Sequence, residues 1–224
     1  MASFSYSIVV IENPISDGGN FENAGGGWQG NYYAAQDPGK ATQLKTSSFS
    51  LFNTALYKDQ TYGQDQWVES KIGAIETGNG NWLGLMIRGT LTDGGAASTI
   101  SGYAVRLYSG DSELIRIDSG VTTILTSETL TTFAIDDTIR LAVRPDGTIE
   151  FYHNWTSWSD TPVLTSTVTT SGSELTGDHM GMYGGYNSNQ SWWDILQGAD
   201  DVPAASGGDP FILFNRRRDN LILF

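Results

Sequence analysis

The stretch Asn154-Trp155-Thr156-Ser157-Trp158-Ser159-Asp160 holds two indoles three residues apart among hydrogen-bonding side chains. Glycan binding needs exposed aromatic planes flanked by such groups, and Trp155 and Trp158 with Asn154, Ser157 and Asp160 supply both just past a predicted strand end. The competing reading is that both indoles cap a core. Asn154-Trp155-Thr156 also fits a glycosylation acceptor. A second set comprises Arg106, Arg116, Arg140, Arg144, Glu150 and Tyr152, which hairpin spacing assigns to a polar sheet face. Such a face could hold an anionic sugar, or be solvated with no ligand. The glycan-binding candidates are therefore Trp155, Trp158, Asn154, Arg106, Arg116, Arg140 and Tyr152.

Other chemistries find less support. Cysteine is absent, so thiol catalysis and disulfides are excluded, and no Gly-x-Ser-x-Gly elbow occurs. The glycine-rich stretches NAGGGWQG and DGGAAS lack both a phosphate-loop lysine and a following helix, and read as turns. His153 falls on the apolar side of a predicted hairpin, as a packed imidazole with a local hydrogen bond; His179 stands beside Asp178 in a predicted loop, as a solvated pair. Calcium would want the paired acids Asp136-Asp137 or Asp200-Asp201, which lie next to turns, but no EF-hand spacing is present and solvated acids account for both. No cofactor is expected, with calcium the one to test.

These residues must be carried by strands. Of 224 residues, 12% are aromatic and 27 are glycine, with long Ser/Thr tracts, a composition for short strands and many turns. The net charge of −13 argues against nucleic acid. No segment reaches membrane-spanning length, and the N-terminus, with no Lys or Arg before Lys40, does not read as a secretory signal. In IRLAVRPDGTIEFYH the apolar residues flank Pro145-Asp146-Gly147. A three-residue loop pairs Val143 with Ile149 and Leu141 with Phe151 on the buried side, and Arg140 with Tyr152 on the other. In GYAVRLYSGDSELIRID the same reasoning matches Leu107 with Ile115 and puts Arg106 beside Arg116. Like charges across a ladder are unfavourable, so a carboxylate, a ligand or a different register is expected there.

The predicted organisation is an N-terminal strand and Gly-rich loop over 1–30, a sandwich over 31–200, a linker over 201–210 and an arm over 211–224. The arm carries 3 Lys/Arg and 1 Asp/Glu, a formal +2, whereas residues 1–210 carry 9 and 24, a formal −15. Its apolar runs and arginines, Phe211, Ile212, Phe214, Arg216, Arg217, Arg218, Leu221 and Phe224, are the candidate interface.

The order of features, IRLAVRPDGTIEFYHN, then a strand, then GMYGGYNSNQSWWDILQGAD, resembles the second half of laminin-G-like and other concanavalin A-like jelly rolls. The resemblance covers roughly residues 45–200. It implies an all-β, two-sheet antiparallel sandwich whose last strand returns beside the first, with ligands on a concave face or loop rim. Retaining glycosidases of this group carry acids at alternating positions of one strand, Glu-x-Asp-x-x-Glu; no such run exists here. Its lyases use a Gln-x-His strand, also absent.

Two functions follow as expectations. Ranked first is a non-catalytic structural or attachment protein of a phage particle, a capsid decoration or fibre module whose arm clasps neighbours. Such proteins usually form homo-oligomers, often trimers, bound to other virion proteins. Its location would be the virion, or outside the cell by a non-classical route. Ranked second is a carbohydrate-binding module or lectin, with a cell-surface glycan as partner; a glycoside hydrolase is third. No nucleic acid or membrane partner is expected.

Overall fold

The computed structural model describes residues 2–7, 21–25, 28–30, 41–43, 53–58, 61–74, 82–92, 95–108, 111–129, 133–185 and 192–203. The described residues form fifteen strands: β1 (Ser3–Ser7), β2 (Phe21–Gly25), β3 (Trp28–Gly30), β4 (Ala41–Gln43), β5 (Asn53–Tyr57), β6 (Trp67–Ala74), β7 (Trp82–Thr90), β8 (Ser101–Leu107), β9 (Asp111–Asp118), β10 (Val121–Thr129), β11 (Thr138–Val143), β12 (Thr148–His153), β13 (Leu164–Thr167), β14 (His179–Gly185) and β15 (Trp192–Ala199). A single 3-10 turn at Ala97–Thr99 is their only helical piece.

One sheet runs β13-β12-β11-β6-β15-β4-β3, with β1 paired to β15; the other runs β10-β9-β8-β7-β14-β5-β2. All pairings are antiparallel. The expected two-sheet jelly roll is thus the fold, and the last strand does return beside the first, Ser3 opposite Ala199. The N-terminal strand lies within the sandwich: Phe4 is buried and stacks on Tyr57 of the facing sheet at 4.3 Å.

Side chains alternate across each strand. Val68, Leu141, Phe151 and Leu196 of the first sheet meet Leu85, Val105, Leu114 and Met182 of the second in one core. The two methionines of β14, Met180 and Met182, belong to that core. The second sheet is apolar on its other face too, where Leu56, Met86, Ala104, Ile115, Ile117 and Tyr183 form a separate buried cluster.

The 138–153 hairpin has the predicted register: Val143 opposite Ile149, Leu141 opposite Phe151, Arg140 opposite Tyr152. Arg144 N–H donates to the Thr148 carbonyl at 2.8 Å and closes the three-residue loop, with Gly147 at φ +82°. The 103–118 hairpin does not. Arg106 faces Glu113, Val105 faces Leu114, and Arg116 faces Tyr103. The register predicted from Leu107 and Ile115 is wrong because both faces of this sheet are apolar, so alternation alone cannot say which residues point inward. The carboxylate expected beside the arginines is Glu113, 2.6 Å from Arg106.

Candidate functional site: an indole box around a buried arginine

On the face of the first sheet that points away from the core, one row crosses four strands: Tyr152 of β12, Arg140 of β11, Glu69 of β6 and Gln197 of β15. The next row sets Ala142 between Glu150 and Trp67. Strand pairing therefore brings a cation, two carboxylates, an amide and an indole together, Glu69 and Gln197 being 128 residues apart in sequence.

Arg140 lies at the centre and is 4% exposed. Its Nε donates to Glu69 Oε2 at 2.9 Å and a terminal nitrogen lies 2.7 Å from the same oxygen. Glu69 Oε1 accepts from Gln197 Nε2 at 2.7 Å. The guanidinium carbon sits 3.2 Å from the centroid of Trp155, 4.1 Å from Trp67 and 4.8 Å from Trp158. Three half-buried indoles thus enclose one buried cation, and cation–π attraction strengthens as the cation loses its water. Burial lowers the Arg140 guanidinium to about 10, against the pull of Glu69, so it stays protonated at neutral pH.

The rings also hold one another. Trp155 and Trp158 meet edge to face at 5.5 Å and 88°, Trp67 and Trp158 at 6.5 Å, and Tyr152 and Trp158 at 6.2 Å. Trp67 Nε1 donates to Asp201 Oδ1 at 2.5 Å, and Trp155 Nε1 is a buried donor without an acceptor among the described residues. Beside the box, Arg144 donates to Glu150 Oε2 at 2.6 Å, to the Tyr152 hydroxyl at 2.9 Å, and to the carbonyls of Pro203 at 2.8 Å and Trp158 at 3.2 Å. Burial and the bond to Glu150 raise the Tyr152 phenol well above its usual value.

The loop that delivers the two indoles is closed by Asp160. Its carboxylate accepts from the Thr156 and Ser157 N–H groups at 2.6 and 3.0 Å and from their hydroxyls at 3.0 and 3.1 Å. Those bonds bring its pKa down to about 2.

Of the predicted candidates, Trp155, Trp158, Arg140 and Tyr152 come together. Arg140 and Tyr152 are buried beneath the rings, so the polar face, read from sequence either as an anionic-sugar site or as a solvated face without a ligand, is a covered layer that its own ion pairs occupy. Asn154 is not a free ligand group. At φ +53°, its Oδ1 accepts from Thr138 N–H at 3.1 Å and its Nδ2 donates to Asp137 at 2.9 Å, closing the strand end. Arg106 and Arg116 belong to the other sheet. Arg106 lies over Trp82 and Tyr108 at 5.7 and 5.8 Å, while Arg116 pairs with Asp118 and ties down the Ser173 carbonyl. Trp67, Glu69 and Gln197 were not predicted; only the alternation of Trp67 and Glu69 against Val68 and Ser70 hints at them.

The two histidines are in local pairs: His153 with Asp137 at 2.7 Å and edge-on to Phe133, His179 with Asp178 at 3.0 Å. Asp136 bonds Lys71, Asp137 accepts from Ala134, His153 and Asn154, and Asp200 accepts from Ala2 and Gly63. Among the described residues no three metal-ligating side chains gather. The predicted interface residues Phe211, Ile212, Phe214, Arg216, Arg217, Arg218, Leu221 and Phe224 lie outside the described residues.

No protein-family model matches the chain, and no curated protein does. Solved structures do. A protein of unknown function with a galectin-like fold from Bacillus subtilis is 12% identical, covers 87% of this chain and 97% of its own, and gives a TM-score of 0.58. The carbohydrate recognition domain of Emp46p in its potassium-bound form is 11% identical, with 88% and 96% covered and a TM-score of 0.56. The exoplasmic/lumenal domain of VIP36 in its Ca2+/Man3GlcNAc-bound form is 12% identical, with 75% and 81% covered and a TM-score of 0.52. The fold they share with this chain is the galectin-like, concanavalin A-like jelly roll. They overturn the ranking made from sequence. Two of these structures are a carbohydrate recognition domain and a Man3GlcNAc-bound domain, none of the three is a phage decoration or fibre protein, and the virion role, with its clasping arm and capsid partners, is withdrawn.

Proposed function

We propose that this domain binds carbohydrate, as a lectin or carbohydrate-binding module, through the indoles of Trp155 and Trp158. The observation that carries the reading is that both rings keep part of their surface in solvent while their inner sides are held by buried arginines. A sugar stacks its C–H face on an indole by dispersion and apolar burial, and loses least when the ring is already fixed. Glycan recognition by Emp46p and VIP36 on the same fold supports it. The role is binding without catalysis: the carboxylates of this face are engaged, Glu69 by Arg140 and Gln197, Glu150 by Arg144, Asp160 by its own loop and Asp201 by Trp67, and no pair of them stands unpartnered as acid and nucleophile.

A glycan array followed by titration tests it. Saturable binding to a glycan is expected, and Trp155→Ala should weaken it. Exposing roughly 100 Å² of apolar surface at about 25 cal/mol/Å² corresponds to about 2.5 kcal/mol, more than tenfold in Kd. Silence across the array, or full binding by Trp155→Ala, would overturn the proposal. Calcium and potassium accompany the solved relatives. In this chain the acids Asp136, Asp137, Asp200 and Asp201 already accept or pair internally. Binding at the indoles is therefore expected to survive EDTA.

A further inference from the structure

Three indoles around a cation are the arrangement by which proteins recognise ammonium ligands. In this chain the box is filled from beneath by Arg140, held in place by Glu69 and Gln197. We infer that Arg140 is the positioning residue of the Trp155–Trp158 platform and that, by occupying the box, it restricts the ligand to a neutral glycan. The ligand class rests on the carbohydrate-binding reading; the positioning role does not.

The positioning follows from what holds the loop. Residues 154–160 lie beyond the end of β12 and belong to no strand. Asp160 closes the loop on itself, so that interaction gives it shape without attaching it to the sheet. Attachment comes from Arg140 against both indoles, from Arg144 to the Trp158 carbonyl, from Trp67 and Tyr152 edge-on to Trp158, and from Asn154 at the loop's base. Of these, only Arg140 touches the Trp155 ring.

The ligand class follows from charge. A guanidinium 3.2 Å from the Trp155 centroid draws on the negative potential of the ring, so the rest of that indole holds a second cation poorly. An amino sugar carrying a protonated amine is disfavoured at the ring. A polyuronate is disfavoured by the molecule, whose net charge is −13 and whose nearby arginines are already paired. Stacking of uncharged C–H groups is affected least by either field.

The test uses the full chain and its Arg140→Ala and Arg140→Lys variants, with near-UV circular dichroism of the coupled indoles and titrations with neutral, glucosamine and uronate oligosaccharides. Arg140→Ala is expected to lose the indole signal and to weaken neutral-glycan binding by about tenfold or more. Added methylguanidinium, which can re-enter the box, should restore both. Arg140→Lys should recover only part, because an ammonium lacks the planar face that stacks on indole. An unchanged indole signal in Arg140→Ala overturns the positioning role; if that variant does not fold, a full signal and full affinity in Arg140→Lys does so. Preference of the native protein for glucosamine or uronate oligomers overturns the ligand class. If the native protein binds no sugar, the carbohydrate reading fails and the ligand class with it, while methylguanidinium rescue still decides what Arg140 does.

Discussion

Glu69 and Glu150 each meet an arginine that is almost out of water, Arg140 at 4% and Arg144 at 5% exposed. Removing one member of a buried pair leaves the other charged and unsolvated, which costs about 3–5 kcal/mol. Glu69→Ala is expected to lower the unfolding free energy by about 3 kcal/mol, measured by urea titration. A loss below about 1 kcal/mol would indicate that solvent reaches Arg140 and that the box is looser than described. Residue by residue, the site was half legible. Trp155 and Trp158 were found because they stand three apart beyond a strand end; Trp67 was missed because it reaches the box only through the pairing of β6 with β11. Arg140 was found for the wrong reason. Its place on the outward face was correct, but nothing local revealed that indoles would cover it.

At the level of elements, the two hairpins differ in what their sequences specify. Pro145-Asp146-Gly147 sets a loop length, and one clearly apolar face selects the register. Gly147 is needed there: at φ +82° a side chain is strained, and a Cβ would lie 2.9 Å from Val168. Gly147→Ala should lower stability by about 1 kcal/mol or more, checked by the same titration. The loop at 154–160 carries a pH signature. Because the folded Asp160 pKa is about 2 and its usual value 3.8, its contribution is fully present above about pH 4 and is lost as pH falls through the folded value. The melting-temperature difference between the native protein and Asp160→Asn should therefore be constant above pH 4 and shrink toward pH 2. A difference that persists at pH 2 would mean the carboxylate does not close the loop. In the 103–118 hairpin, Leu114 faces the inner core and Ile115 the outer cluster, both buried, and such a strand cannot declare its inward face.

Across the whole molecule, the chain ends of the described sandwich are joined. β1 pairs with β15, Asp200 accepts from the backbone of Ala2 and Gly63, and Asp201 accepts from Trp67 at the rim of the indole box. If the ligand is neutral, its affinity should change little when salt is raised, whereas a charged glycan would show a clear dependence; isothermal titration at low and high salt distinguishes them. By itself the sequence determined the all-β class, one hairpin register, the absence of thiol chemistry, and the pairing of two indoles in one loop past a strand end, since those depend on composition and on neighbours a few residues apart. The tertiary structure alone decided that the arginines divide between two sheets, and that Glu69, Gln197 and Trp67 converge on Arg140. It likewise decided that the polar face is a paired and covered layer. The reason is physical: β11 meets β6 and β6 meets β15 through non-local ladders, and no local pattern encodes which strand will lie beside which.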